Sequence, residues 1–400
     1  MVTRRMVFAP VSRLYRNPVP LLAAVFVLIA AAAFPLTAQA DPDLPGKKEK
    51  APKEQKSDSE GNAIRKGRKI GVSLPLSGTG AGFGADLQSM LLFANAKFGG
   101  GRYDFVIDDD RCDEVTAEKI AKKFIEVDKV EAVIGYGCST AILAAAPILE
   151  QAKIPTMVVF ASSDKVSKAG DYIFRTWPSD KKSAAVLYRY AAKHDKSIAL
   201  ISEATPYAAD LRESFYAANM HSGIELRTEE FFSGNTEFRN MILRIRSWSP
   251  DAIFINSQDP ASFGVVLKAL REYKWRGTIY GAFWPANPAL RKELGPALDD
   301  VIFVDAPPLS ALMNGEGWQA LNDFNRPIGG TEASFVSVVE GFRALDAALS
   351  SGQDVRDYLY RNKFSGVFGG YSFDKDGEIE GLDFIVRRIK NGKPETVKAE

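Results

Sequence analysis

Histidine and cysteine are nearly absent from this 400-residue chain, with two of each. His194 and His221 stand beside no catalytic motif, so a histidine-based triad has no support. Two cysteines separated by a predicted helix do not make a zinc site either, and no metal is expected. Net charge is missing as well. The 51 basic and 50 acidic residues leave +1, which argues against a nucleic-acid partner or a groove for acidic substrates. What remains is ordinary for a globular protein: 46% hydrophobic and 25% charged residues, in a chain long enough for two domains.

The first forty residues read as a targeting segment. MVTRRMVFAPVSRLYR is a basic start, LLAAVFVLIAAAAF an apolar core, and Ala38-Gln39-Ala40 a small-x-small cleavage site. The apolar run is short for a membrane span, and an uncleaved anchor is the alternative. No cysteine follows the cleavage site, so lipid has no acceptor there. Residues 41–68 carry many charges and almost no large apolar side chain, the composition of a disordered tether. The mature chain is thus expected to be exported and soluble. In an oxidising compartment, Cys112 and Cys138, each just past a predicted strand, read as a disulfide between parallel neighbours. Two reduced, buried thiols are the alternative.

From Lys69 onward, short β-branched runs alternate with stretches of helical period. AVIGY (132–136) and PTMVVF (155–160) are uninterrupted, as strands of a parallel sheet buried on both faces are. A second alternation, from SIALISE (197–203) to VIFVDA (301–306), repeats the pattern with its own sheet. The fold class is therefore α/β, with two parallel sheets. Ligands of such sheets sit outside the strands' carboxyl ends, where Ser139 and Ser162 fall. Ser139 precedes a predicted helix, so its hydroxyl, free backbone N–H groups and the positive helix end together make a carboxylate site. Both serines can equally be plain N-caps. Gly80-Ala-Gly82-Phe-Gly84-Ala85 fits a loose dinucleotide fingerprint, the basis of an alternative as an exported NAD-dependent oxidoreductase. ProLeuSerGly separates it from its strand, however, and the glycines better suit close backbone approach to a small ligand.

Taken in order, GVSLPLSG, DDDRCD, VIGYGCST, IPTMVVFASS, YIFRTWPSD, TPYAADL and GGYSFDKDGEIEG resemble type I periplasmic binding proteins of the branched-chain amino acid (Leu/Ile/Val) family. The resemblance implies two Rossmann-like lobes joined by three hinge crossings, near Trp177, Pro307 and Gly369. Lobe 1 would span 69–177 and 308–368, and lobe 2 would span 178–307 and 369–400. It further implies a periplasmic, monomeric, non-enzymatic subunit of an ABC importer, without cofactor. Such a subunit would close on a small-molecule ligand and dock on permease and ATPase subunits. A sensing receptor of the same fold is the alternative.

Residue by residue, the resemblance matches Ser139 and Ser162 to the family's carboxylate-binding hydroxyls, with the backbone of Phe160 beside them. Tyr207 matches an aromatic that closes on the ligand, and Phe83 one that walls the pocket. Packing is the alternative for both. The family's ammonium-pairing glutamate falls in GAFWP, where this chain has Phe283 and Trp284. Asp259 could supply the missing charge, or could simply cap the helix opening at Pro260. Without an acid in the cleft, a carboxylate with an apolar or aromatic body suits Phe83, Phe160, Phe283 and Trp284 better than an amino acid does.

Overall fold

The structure, a computed structural model, describes residues 67–220, 223–328 and 330–398. The expected signal peptide and nearly all of the tether lie outside the described residues. No helix among the described residues is long and apolar enough to cross a membrane.

The first sheet is built from β1 (Arg68–Leu74), β2 (Tyr103–Asp109), β3 (Ala132–Gly135), β4 (Thr156–Val158) and β5 (Ile173–Arg175). Its order is β2-β1-β3-β4-β5, and every pairing is parallel. Central runs such as Ala132-Val133-Ile134 are fully buried, because helices cover both faces. Those helices include α1 (Ala81–Lys97), α2 (Glu114–Lys123) and α3 (Ser139–Gln151).

After α4 (Asp180–His194) the chain builds the second sheet: β6 (Ser197–Glu203), β7 (Glu225–Phe231), β8 (Ala252–Asn256), β9 (Thr278–Gly281) and β10 (Ile302–Asp305). Their crossovers are α5 (Pro206–Asn219), α6 (Arg239–Trp248), α7 (Pro260–Glu272) and α8 (Pro288–Leu294). The chain then returns to the first lobe. There it forms a small antiparallel sheet of β11 (Phe364–Gly366), β12 (Gly369–Phe373) and β13 (Ile379–Glu380). The last strands, β14 (Ile385–Lys390) and β15 (Lys393–Thr396), complete a sheet of order β15-β14-β10-β9-β8-β6-β7. It is parallel from β7 to β10, and β14 and β15 join antiparallel.

Three features differ from expectation. The glycine stretch is not an open loop: Gly82 and Gly84 lie inside α1. A Cβ on Gly84 would collide with the Pro75 carbonyl oxygen, so this glycine lets the helix approach its strand. The passage expected near Gly369 falls instead between β13 and β14. Gly369 has φ 114° and serves the tight reversal in which Gly366 pairs Gly369. Finally, Cys112 and Cys138 follow strands that are not neighbours, since β1 lies between β2 and β3. Positive φ at Arg111 (57°) and Cys112 (56°) turns the chain across the end of β1. The two Cα atoms then stand 5.3 Å apart, within the span of a disulfide.

Candidate functional site

In both sheets the winding direction reverses beside the first strand, between β1 and β3 and between β6 and β8. Such switch points open a crevice at the strands' carboxyl ends. Here the two crevices face each other. A cavity of about 20 Å³ lies between them, with room for about one water. Gly137, Cys138, Ser139, Phe160, Ala161 and Ser162 line it from the first lobe, and Tyr207, Gln258, Phe283 and Trp284 from the second. A groove of about 890 Å³ also exists, between α4 and the β14–β15 hairpin. It takes no residue from the first lobe, so it is not the crevice between them.

The first lobe contributes hydroxyls. Ser139 is the first residue of α3, and Cys138 at the N-cap gives the helix no side-chain hydrogen bond. Asp113, Thr205 and Asp259 do cap α2, α5 and α7. The leading N–H groups of α3 therefore keep their positive end at the cavity. Ser139 does not cap its own helix. Its Oγ accepts the Ser163 N–H at 3.1 Å, which ties the two strand tips together.

Ser162 is bound twice to Asp180: its Oγ donates to Oδ2 at 2.9 Å, and its carbonyl accepts the Asp180 N–H at 2.7 Å. Burial pushes the Asp180 carboxyl up to about 7, against the opposing pull of Ser162 and Arg175. Arg175 Nη1 donates to the Ser163 carbonyl at 2.7 Å and holds this turn from below. Ser163 Oγ donates to Asp210, which also meets Lys165 at 3.4 Å.

The second lobe contributes rings and one amide. Tyr207, at the start of α5, is buried, and its hydroxyl lies beside Ser162 without a hydrogen bond of regular geometry among the described residues. Burial, then the nearby Asp180, holds that phenol well above its usual range. Rings meet across the cleft: Phe160 and Phe283 at 5.5 Å, Phe83 and Trp284 at 6.0 Å, Phe160 and Trp284 at 6.4 Å. Phe83 is thus in the aromatic cluster, although it does not line the cavity itself.

Asp259 does not face the cleft. Its carboxylate accepts the Ser262 N–H at 2.8 Å, because Pro260 opens α7 and the helix needs that cap. The neighbouring Gln258 takes the cleft position. Its N–H donates to buried Glu203 at 2.7 Å, and its Oε1 accepts from Thr140 across the cleft at 3.4 Å. Gln258, Glu203 and Asp180 were not anticipated from sequence. The available signal was position: a polar residue just beyond a strand tip or at the opening of a helix.

Residues 68–393 match the family described as Periplasmic binding protein. The chain belongs to the periplasmic binding protein family. An amino acid binding protein of Pseudomonas aeruginosa is 21% identical over 336 residues, 79% of this chain and 88% of that one. A leucine binding protein of Thermotoga maritima superposes with a TM-score of 0.76 at 22% identity, over 82% of this chain and 97% of that one. A solute binding protein of an R. palustris ABC transporter, solved with benzoate, gives 0.72 at 20% identity, over 83% and 95%. The resemblance in the sequence thus holds for family and for fold, an α/β periplasmic binding protein with two largely parallel sheets.

Proposed function

We propose that this periplasmic binding protein is the solute-capturing subunit of an ABC importer, and that its solute is a small carboxylate with an apolar or aromatic body. The observation carrying this is the convergence of Ser139, Ser162 and the side-chain-free N-terminus of α3 on one cavity walled by Phe160, Phe283 and Trp284. N–H groups and a hydroxyl at a helix N-terminus recognise a carboxylate. The rings take up the body of the ligand. Among the described residues, none of the cavity-lining side chains carries a carboxylate, so a ligand ammonium finds no direct counter-ion there. Among relatives, proteins are named for amino acids and one is solved with benzoate; the aromatic wall favours the second kind.

The ligand works by hinge closure. The cavity as it stands admits no molecule of benzoate's size, so the lobes must part to load and then close on contacts from both sides. A solute that touches both lobes is worth more to the closed state and shifts the population toward it. The closed form would then present its solute to a membrane permease.

Calorimetry with benzoate and with leucine tests the reading. Replacing Ser139 and Ser162 together by alanine removes two hydrogen bonds to a charged group. The expected loss is about 3–6 kcal/mol, roughly a hundredfold or more in affinity. Equal affinity in the double variant sinks the placement.

A further inference from the structure

We propose that Asp180 decides which charge the site accepts: a bare carboxylate binds only with a proton on Asp180, because Ser162 otherwise has no hydrogen to offer it. This rests on the carboxylate reading of Ser139 and Ser162 given above.

A serine hydroxyl has one hydrogen to donate. Ser139 keeps its own, since its Oγ is an acceptor for the Ser163 N–H. Ser162 does not: its hydrogen lies on Asp180 Oδ2 at 2.9 Å, and lone pairs are what it turns toward the cavity. A ligand carboxylate arriving there would put two anions on either side of one hydroxyl that can satisfy only one. Protonation of Asp180 reverses the pair. The carboxyl O–H then donates to Ser162 Oγ, and the serine hydrogen is released to the ligand. One proton is taken from solvent for each carboxylate bound to the ionised site, and no covalent bond other than that O–H forms or breaks.

The neighbours leave Asp180 poised for this. It is fully buried. Arg175, from β5, is its nearest cationic influence but is already engaged with the Ser163 carbonyl, Ser167 and Glu378. Asp210, on α5, opposes ionisation from the other side, and its own cation is Lys165. Lys182, on the same helix as Asp180, turns to Glu378 at 3.5 Å. Tyr207 stands beside Ser162, its hydroxyl making no hydrogen bond of regular geometry among the described residues. With burial dominant, the carboxyl is pushed up to about 7. The exchange therefore falls near neutral pH.

The test is calorimetry of the full chain with benzoate from about pH 5.5 to about pH 8.5, in two buffers of different ionisation enthalpy. Affinity is expected to fall about tenfold per pH unit above about pH 7, with one proton taken up per ligand there. Asp180→Asn, whose amide can donate to Ser162, is expected to flatten that profile. A flat wild-type profile without proton uptake, with binding still lost in Ser139→Ala, overturns the proposal and leaves the site standing. Binding of leucine but not benzoate at every pH also overturns it. Silence from both ligands at every pH overturns the carboxylate reading together with it.

Discussion

The two sheets wind alike. In the first, β1 lies between β2 and β3; in the second, β6 lies between β7 and β8, and the later strands extend on the same side. Equivalent tips should therefore occupy equivalent places, and they do. Ser139 follows β3 as Gln258 follows β8, and Phe160 to Ser163 follow β4 as Phe283 and Trp284 follow β9. The dressing of those tips is what differs. The first lobe ends its strands in hydroxyls with Phe160 beside them, and α4 and α5 of the second bring Asp180 and Asp210 up to those hydroxyls. The second lobe ends its own strands in aromatic rings and an amide. Topology fixes where a ligand is met, and the few residues beyond each strand end decide what it must be. On the proposed function, the first lobe orients an acid and the second covers its body.

The largest effect that could break this division comes from the ring side. Phe283 is 2% exposed and packs against Phe160, Trp177 and Trp284. Phe283→Ala should cost about 3–5 kcal/mol of stability, read as a lower melting temperature. If the second lobe measures the ligand's body, the same variant should move preference toward bulkier aromatic acids. An unchanged ranking of ligands would mean that these rings serve packing alone.

The cysteine pair comes next and sharpens the first-lobe side, where Cys138 occupies the N-cap position of the helix that carries Ser139. We infer that Cys112 and Cys138 are bonded, closing a loop with a sequence separation of 26. Replacing both by serine should remove about 3–4 kcal/mol on the chain-entropy view. Thermal unfolding of the double variant beside wild type, with and without reductant, checks it. A reductant that leaves the wild-type transition in place argues for free thiols.

How much of this was legible in the sequence follows from how local each cause is. The strands were legible, because unbroken β-branched runs such as Ala132-Val133-Ile134 bury both faces by themselves. Ser139 was legible as the residue between such a run and a helix. Gly369 was misread because its Gly-Gly pair fits a hinge as well as the tight reversal it makes with Gly366. The cysteines meet across a strand that their spacing does not reveal. Asp180 was invisible for a similar reason: its meaning comes from Ser162, 18 residues away, and only packing brings the two together.

The smallest effect separates two adjacent residues, Gln258 and Asp259, and with them the cleft from the scaffold. Asp259 caps α7 through the Ser262 N–H, so Asp259→Ala should cost about 1 kcal/mol of stability and leave ligand affinity where it was. Gln258 faces the cavity and meets Thr140 of the other lobe, so Gln258→Ala should lower affinity with little change in melting temperature. The backbone explains the split: an N-cap side chain must fold back over its own helix, and the residue before it is then turned outward. Melting curves and calorimetry on the two variants check this together. A large affinity loss in Asp259→Ala would return the acid to the cleft, and with it an ammonium-bearing ligand.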